Sequence, residues 1–261
     1  MNRLLKNAGL AAAMAVVFFM AGNVLAYDFG TNITISDKNT FGTTGWYSDR
    51  EDEETEPGMI ANQSWDLEGF FLKGNTLTMV GGYDFVNGNQ NLMSGDLFFD
   101  VNGDAKYGDI HGAAGNHIVT DTFGYDYVMD LNFEDFSYNV YALGAGSSTI
   151  TSQESVNQGS NPWRYNAGGT FVTSGSFNYL TGLSNADTGL SGGSHNVLTG
   201  LDISFLAPET QFMSHFTMQC GNDNAMGAGE TSGTPEPATM FLLGSGLVGL
   251  AGLRKKFNKK N

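Results

Sequence analysis

Apolar and polar residues alternate with a period of two over much of this chain, and long 3.6-residue periodicity is missing between Tyr27 and Thr234. The clearest run places Phe123, Tyr125, Tyr127, Met129, Leu131 and Phe133 on one side and Gly124, Asp126, Val128, Asp130, Asn132 and Glu134 on the other. Such spacing predicts a strand with one buried and one largely polar face, because successive side chains of an extended chain point to opposite sides. Leu201, Ile203 and Phe205 alternate with Asp202 and Ser204, and Phe212, Phe216, Met218 and Cys220 share a side. Further strands are predicted at 31–35, 66–72, 76–80, 96–101, 136–143, 170–180 and 196–205. Short strands separated by Gly/Asn turns predict an all-β chain, an antiparallel β-sandwich of jelly-roll type. Two long loops are expected, an acidic one around Asp49–Pro57 and another from Ser152 to Gly169.

Composition sharpens this picture. The chain has 36 Gly, 19 Phe and 10 Tyr, which suits many short strands and tight turns. Cys220 is the single cysteine, so no internal disulfide can form and stability must come from side-chain burial, helped or not by a metal. The whole chain carries a formal charge of −15, but its basic residues are concentrated at the two ends. Between residues 27 and 234 there are 5 Lys/Arg against 26 Asp/Glu, a net charge of −21. That excludes nucleic acid as a partner, since phosphate binding needs a basic footprint. Cations, basic proteins and neutral polysaccharides remain compatible with it.

The segment Asp100-Val101-Asn102-Gly103-Asp104 reproduces the first half of an oxygen-rich calcium loop, with hard ligands at alternate positions. Ala105 and His111 then stand where an EF-hand needs Gly and a bidentate acid, so that motif is incomplete. A different calcium turn built from Asp100, Asn102, Asp104 and Asp109 is one reading. The other is a tight turn shaped by Asn-Gly with its aspartates solvated. Trp163 and Tyr165 form a sugar-stacking platform if they are exposed, and anchors for their own loop if they are not.

Catalytic constellations are weak. His111, His117, His195 and His215 are scattered, with no third ligand matched to a zinc site. His215 and Cys220 lie five positions apart on a predicted strand and point to opposite faces, which predicts a buried, inert thiol. Gly189-Leu190-Ser191-Gly192-Gly193 matches the nucleophile-elbow letters without the strand before and helix after that the elbow requires. A non-enzymatic protein is expected; a carbohydrate-binding module and, further off, a glycan hydrolase are the alternatives.

The two termini read as addresses. Arg3 and Lys6 precede an apolar stretch from Ala8 to Gly22, and Val24-Leu25-Ala26 provides a cut between Ala26 and Tyr27, so residues 1–26 predict a secretory signal peptide with a helical core. At the other end a spacer, 231–237, leads through Pro235-Glu236-Pro237 to an apolar run from Ala238 to Leu253 and a basic end that includes Arg254, Lys255 and Lys256. Sixteen helical residues span roughly 24 Å, a little less than the ~30 Å hydrocarbon layer. The lysines hold the end on the cytoplasmic side. The prolines keep the preceding segment extended and accessible. A permanent anchor and a removable signal both fit this helix.

Pro-Glu-Pro-Ala-Thr at 235–239, the apolar run and Arg-Lys-Lys together resemble the PEP-CTERM sorting signal of Gram-negative bacteria. Asp96–Asp109, Tyr125–Val128 and Phe216–Asp223 resemble, more patchily, segments of the surface proteins that carry it. The resemblance implies export by the secretion machinery, a transient stay in the inner membrane and cleavage near Pro235-Glu236-Pro237 by exosortase. It also implies delivery to the surface of cells that make exopolysaccharide and biofilm. It implies no enzymatic activity and no ligand. The expected organisation is residues 1–26 leader, 27–230 acidic β-sandwich, 231–237 spacer and 238–261 apolar helix with basic tail.

Overall fold

Runs of aromatic and β-branched residues become strands here, and Gly, Asn and Asp make the turns between them. The structure, a computed structural model, describes residues 26–35, 59–60, 62–105, 115–153 and 160–233. The expected leader helix, the acidic stretch 49–57, Asp109, His111 and the C-terminal segment from 234 onward lie outside the described residues.

One sheet has five strands: β1 (Thr31–Asn32), β2 (Gly69–Lys73) and β3 (Thr76–Gly81), then β11 (Asn178–Leu183) and β12 (His195–Asp202), in the order β1-β2-β3-β12-β11. A second has six: β4 (Leu97–Asp100), β6 (Tyr127–Asn132), β7 (Ser137–Ala142), β10 (Thr170–Ser176), β13 (Gln211–Thr217) and β14 (Asn224–Glu230). Their order is β10-β7-β6-β4-β13-β14. A small third sheet joins β5 (Ile118–Val119), β8 (Ser148–Ile150) and β9 (Arg164–Ala167). A single α-helical turn, α1 (Asn185–Thr188), lies between β11 and β12. All of the strand pairings are antiparallel.

The expectation of packed antiparallel sheets is met. The strand order joins hairpins through the non-consecutive pairs β3 with β12, β4 with β6, β4 with β13 and β7 with β10, and is not the eight-stranded double Greek key of a jelly roll.

Side chains from the facing surfaces of the two large sheets form the main core. Phe70, Leu77, Met79, Leu198 and Leu201 of one sheet meet Leu97, Phe99, Met129, Val140 and Phe216 of the other. Phe99 contacts Phe205 and Phe212 edge-on, at ring separations of 5.5 and 6.0 Å. Both sheets are also covered on their outer faces. Phe29 and Leu190 lie over Phe71, Val80 and Val197 of the five-stranded sheet. Phe123, Tyr125, Val119 and Tyr165 cover Phe98 and Val128 of the six-stranded one. Leu97-Phe98-Phe99 shows no alternation because all three are buried, on opposite sides of one strand.

Two strands differ from expectation. The run from Phe123 to Phe133 is a strand only from Tyr127, because Phe123 and Gly124 take positive φ, 54° and 84°. That left-handed turn reverses facing, so Phe123 and Tyr125 cover the outside while Met129 and Leu131 enter the main core. The run 170–180 is two strands in different sheets. β10 pairs with β7 and β11 with β12, and buried Phe177 marks the crossing.

Phe99→Ala should lower stability by about 3–5 kcal/mol through loss of burial and the cavity left between the sheets. A denaturant midpoint close to that of the unaltered chain would contradict this core assignment.

Candidate functional site

The Asp100 turn follows directly from the end of β4. Asp100 is buried, and its carboxylate closes the turn by itself: Oδ1 accepts from the backbone N–H of Asn102 (2.9 Å) and Gly103 (2.7 Å), and Oδ2 from that of Ala105 (3.0 Å). Gly103 supplies the positive φ of 81° that the turn needs. The Asn102 side chain accepts from the Asp104 N–H and donates to Asp126, which also accepts from the Val101 N–H. Burial, together with the nearby charges of Asp100 and Asp104, holds the Asp126 carboxyl above its usual range. Asn102, Asp104, Asp121, Tyr125 and Asp126 line a cleft of about 360 Å³ beside it.

A calcium ion needs six or more oxygens free to turn toward it. Both carboxylate oxygens of Asp100 accept N–H groups of its own turn, and the described residues hold no group of three or more His, Cys, Asp or Glu placed to share a metal. The described residues form a self-capped turn. Asp109, the fourth ligand expected from the sequence, lies outside the described residues.

A second polar cluster sits where the small sheet meets the large one. Asp96 immediately precedes β4, and the ladder between β4 and β6, Leu97 opposite Met129, puts Asp96 across from Asp130. Asp96 is fully buried; it accepts from the Leu131 N–H (3.0 Å) and the Tyr165 N–H (2.8 Å), and Arg164 lies 3.6 Å away. Burial pushes its carboxyl up to about 7, against the pull of Arg164 and with the help of Asp130. Asp130 is raised as well, again by burial and against Arg164. The cluster therefore ties β4, β6 and β9 together through one carboxylate.

Trp163 and Tyr165 flank Arg164. Trp163 is only 8 % exposed, with the Arg164 guanidinium 5.7 Å from its ring centre, so its ring is an interior anchor. Tyr165 stacks on Tyr141 at 4.8 Å and donates its hydroxyl to the Gly168 carbonyl. One face of the Tyr165 ring is therefore taken by Tyr141.

The remaining candidates take structural positions. His195 and Glu68 are both buried, 3.1 Å apart; His195 also meets the Ser191 carbonyl (2.6 Å) and the Thr188 hydroxyl (3.2 Å), and Gln63 donates to Glu68. This network straps the loop after α1 onto the five-stranded sheet. Ser191 sits in that loop with α1 before it, the reverse of a nucleophile elbow. Cys220 belongs to the main core and His215 lies against Tyr125 on the outer side; the strand ends at Thr217, so Cys220 lies in the turn beyond it and not on the same strand as His215. Buried Asp223 accepts from the Leu67 N–H at 2.6 Å.

Sequence reasoning overlooked Asp96, Glu68 and Asp223 as structural acids. The available signal was an acid set directly against an apolar run, as in Asp96-Leu97-Phe98-Phe99 and Leu67-Glu68-Gly69-Phe70. Ala26 and Tyr27, the expected cleavage pair, are exposed where the described sandwich begins, and Tyr27 donates its N–H to the Asp187 carbonyl.

The feature matched by comparison with known families lies beyond the sandwich. Residues 234–256 match the family model of the PEP-CTERM protein-sorting motif. The chain ends in a PEP-CTERM sorting signal. The PEP-CTERM motif covers Pro235, Glu236, Pro237 and the basic residues Arg254, Lys255 and Lys256. It implies a protein that is exported, processed by exosortase and sorted to the cell surface. No curated protein and no solved structure matches the chain.

Asp100→Ala strips three backbone N–H groups of their acceptor and should cost about 1–3 kcal/mol, measured by chemical denaturation. Asp104→Ala, at an exposed carboxylate, should be near neutral. Equal losses from the two would contradict the self-capped turn.

The Asp96 shift carries a pH signature. Native Asp96 keeps its proton up to about 7 while the unfolded residue ionises near 3.8, so the native state binds more protons between those values. Stability therefore falls as pH rises through that window. Asp96→Asn should flatten that fall in the urea midpoint; parallel pH profiles for the two chains would contradict it.

Proposed function

We propose that this protein is a non-enzymatic component of the cell surface or extracellular matrix, associated with exopolysaccharide and biofilm. The observation that carries the proposal is the sorting signal at 234–256, joined by a short spacer to an acidic sandwich. The mechanism is one of delivery. Residues 1–26 direct export and are removed between Ala26 and Tyr27. The run Ala238–Leu253 arrests the chain in the inner membrane, with the basic end as its stop. Exosortase then cuts near Pro235-Glu236-Pro237, where the prolines hold the backbone extended.

Several features support a binding or structural role over catalysis. Three of the buried acids are committed to backbone donors, Asp96 to Leu131 and Tyr165, Asp100 to its own turn and Asp223 to Leu67, and Glu68 is held by the side chains of His195 and Gln63. Cys220 is enclosed in the core, away from His215. The strong negative charge keeps the domain soluble outside the cell and favours contact with cations, basic proteins or neutral glycans.

The test is to replace Pro235-Glu236-Pro237 by alanines in a host that has exosortase, then follow the chain by fractionation and intact mass. The altered chain should accumulate in the membrane with residues 238–261 attached, while the unaltered chain reaches the surface without them. Identical distribution and mass would contradict the sorting mechanism, and a surface-located product retaining 238–261 would make the helix a permanent anchor.

A further inference from the structure

The edges of the two large sheets are protected unequally. β14 has its outer edge covered by the chain's own start: Ile35 donates to the Met226 carbonyl, Ala228 to that of Ile33, and Thr34 bridges Gly227. β1 offers only two residues. β11 is broken by a register shift between Leu180 and Leu183, with Gly182 at φ 68°. Short length, coverage and irregularity are the usual protections against intermolecular strand pairing.

β10 has fewer such protections. Its seven residues, Thr-Phe-Val-Thr-Ser-Gly-Ser, include no Pro and no charge. The ladder to β7 occupies one side, and among the described residues no other strand pairs with it. The shift at Val172 irregularises only its first part; from Thr173 to Ser176 the register is continuous. Phe171 and Val172 are 56 % and 39 % exposed, so two of the six large apolar side chains exposed among the described residues sit side by side here.

Charge selects the occupant. The chain carries −15, yet residues 165–186 hold no charged residue, and neither do residues 136–153, which contain the neighbouring strand β7. Two copies repel one another over most of their acidic surface and meet no charge on either strand of this edge. A basic partner would be drawn to the acidic surface and not to a neutral edge. An edge strand is also self-complementary when two copies meet antiparallel about a two-fold axis, which closes the assembly at a dimer.

We propose that β10 pairs antiparallel with β10 of a second copy of this chain, so that the six-stranded sheet continues across two molecules. Main-chain hydrogen bonds supply the affinity, as in other strand-addition contacts, and Phe171 and Val172 become covered at the junction.

Cysteine cross-linking in the full chain tests this directly, since the only native thiol, Cys220, is buried. Val172→Cys, Thr173→Cys and Ser174→Cys are made in separate chains, with Thr31→Cys on the β1 edge as control. At least one β10 variant should give an oxidised species of twice the chain mass, and Thr31→Cys and the unaltered chain should not. Sedimentation of the full chain recovered from cells should show a dimer that the double variant Val172→Lys/Ser174→Lys converts to monomer without lowering its thermal midpoint. Three results would overturn the proposal: no cross-link above background at any β10 position, a dimer indifferent to the two lysines, or a monomer in which the lysines abolish binding of a neutral polysaccharide. Should the lysine variant fail to fold, the cross-linking result alone decides.

Discussion

Strand β4 imposes the constraint on which this fold depends. It is the fourth of six strands, held between β6 and β13, and every one of its residues is buried. Leu97 and Phe99 point into the space between the two large sheets, while Phe98 points to the opposite side. A strand with apolar side chains on both faces cannot be satisfied by a two-layer sandwich alone. The outer face has to be closed by something, and here Phe123, Tyr125 and the small sheet close it. The acids at either end of β4 then become structural. Asp96 anchors the small sheet through the Tyr165 N–H, and Asp100 shapes the turn by which the chain leaves the strand.

The same arrangement explains why a strongly anionic chain without a disulfide has a well-enclosed interior. Isolated buried carboxylates are unfavourable unless their lone pairs are met by donors. Asp96 and Asp100 each receive backbone N–H groups, and Asp96 also has Arg164, one of the few cations of the domain, beside it. Among the described residues most other acids are exposed or half-buried, where their charge repels other copies and suits an exported protein. The PEP-CTERM signal and the sandwich thus divide the work. The tail determines where the protein goes, and the sandwich presents an acidic surface once it arrives.

Much of this was legible from residue patterns. Alternation located β3, β6, β7, β12 and β13 to within a few residues, and the letters of residues 235–256 sufficed for the sorting signal. The failures have physical causes. Alternation cannot register a left-handed residue, so Phe123 and Tyr125 were assigned to the wrong face. It cannot tell one long strand from two that cross between sheets, which hid the break at Phe177. β14 was invisible because Asn-Ala-Met-Gly-Ala-Gly-Glu has neither β-branched residues nor alternation; it is a strand because β13 pairs with it along its whole length. In the Asp100 turn, spacing alone gives oxygen ligands and Asx-turn acceptors the same letters.

Native-state hydrogen exchange on the full chain tests the central claim most directly. If β4 is the element on which both sides of the six-stranded sheet rest, its amides, with those of β6 and β13, exchange only through global unfolding. They should then be the slowest in the molecule, while β5, β8 and β9 open at lower free energy. Exchange of Phe98 and Phe99 as fast as that of the small sheet would contradict the account.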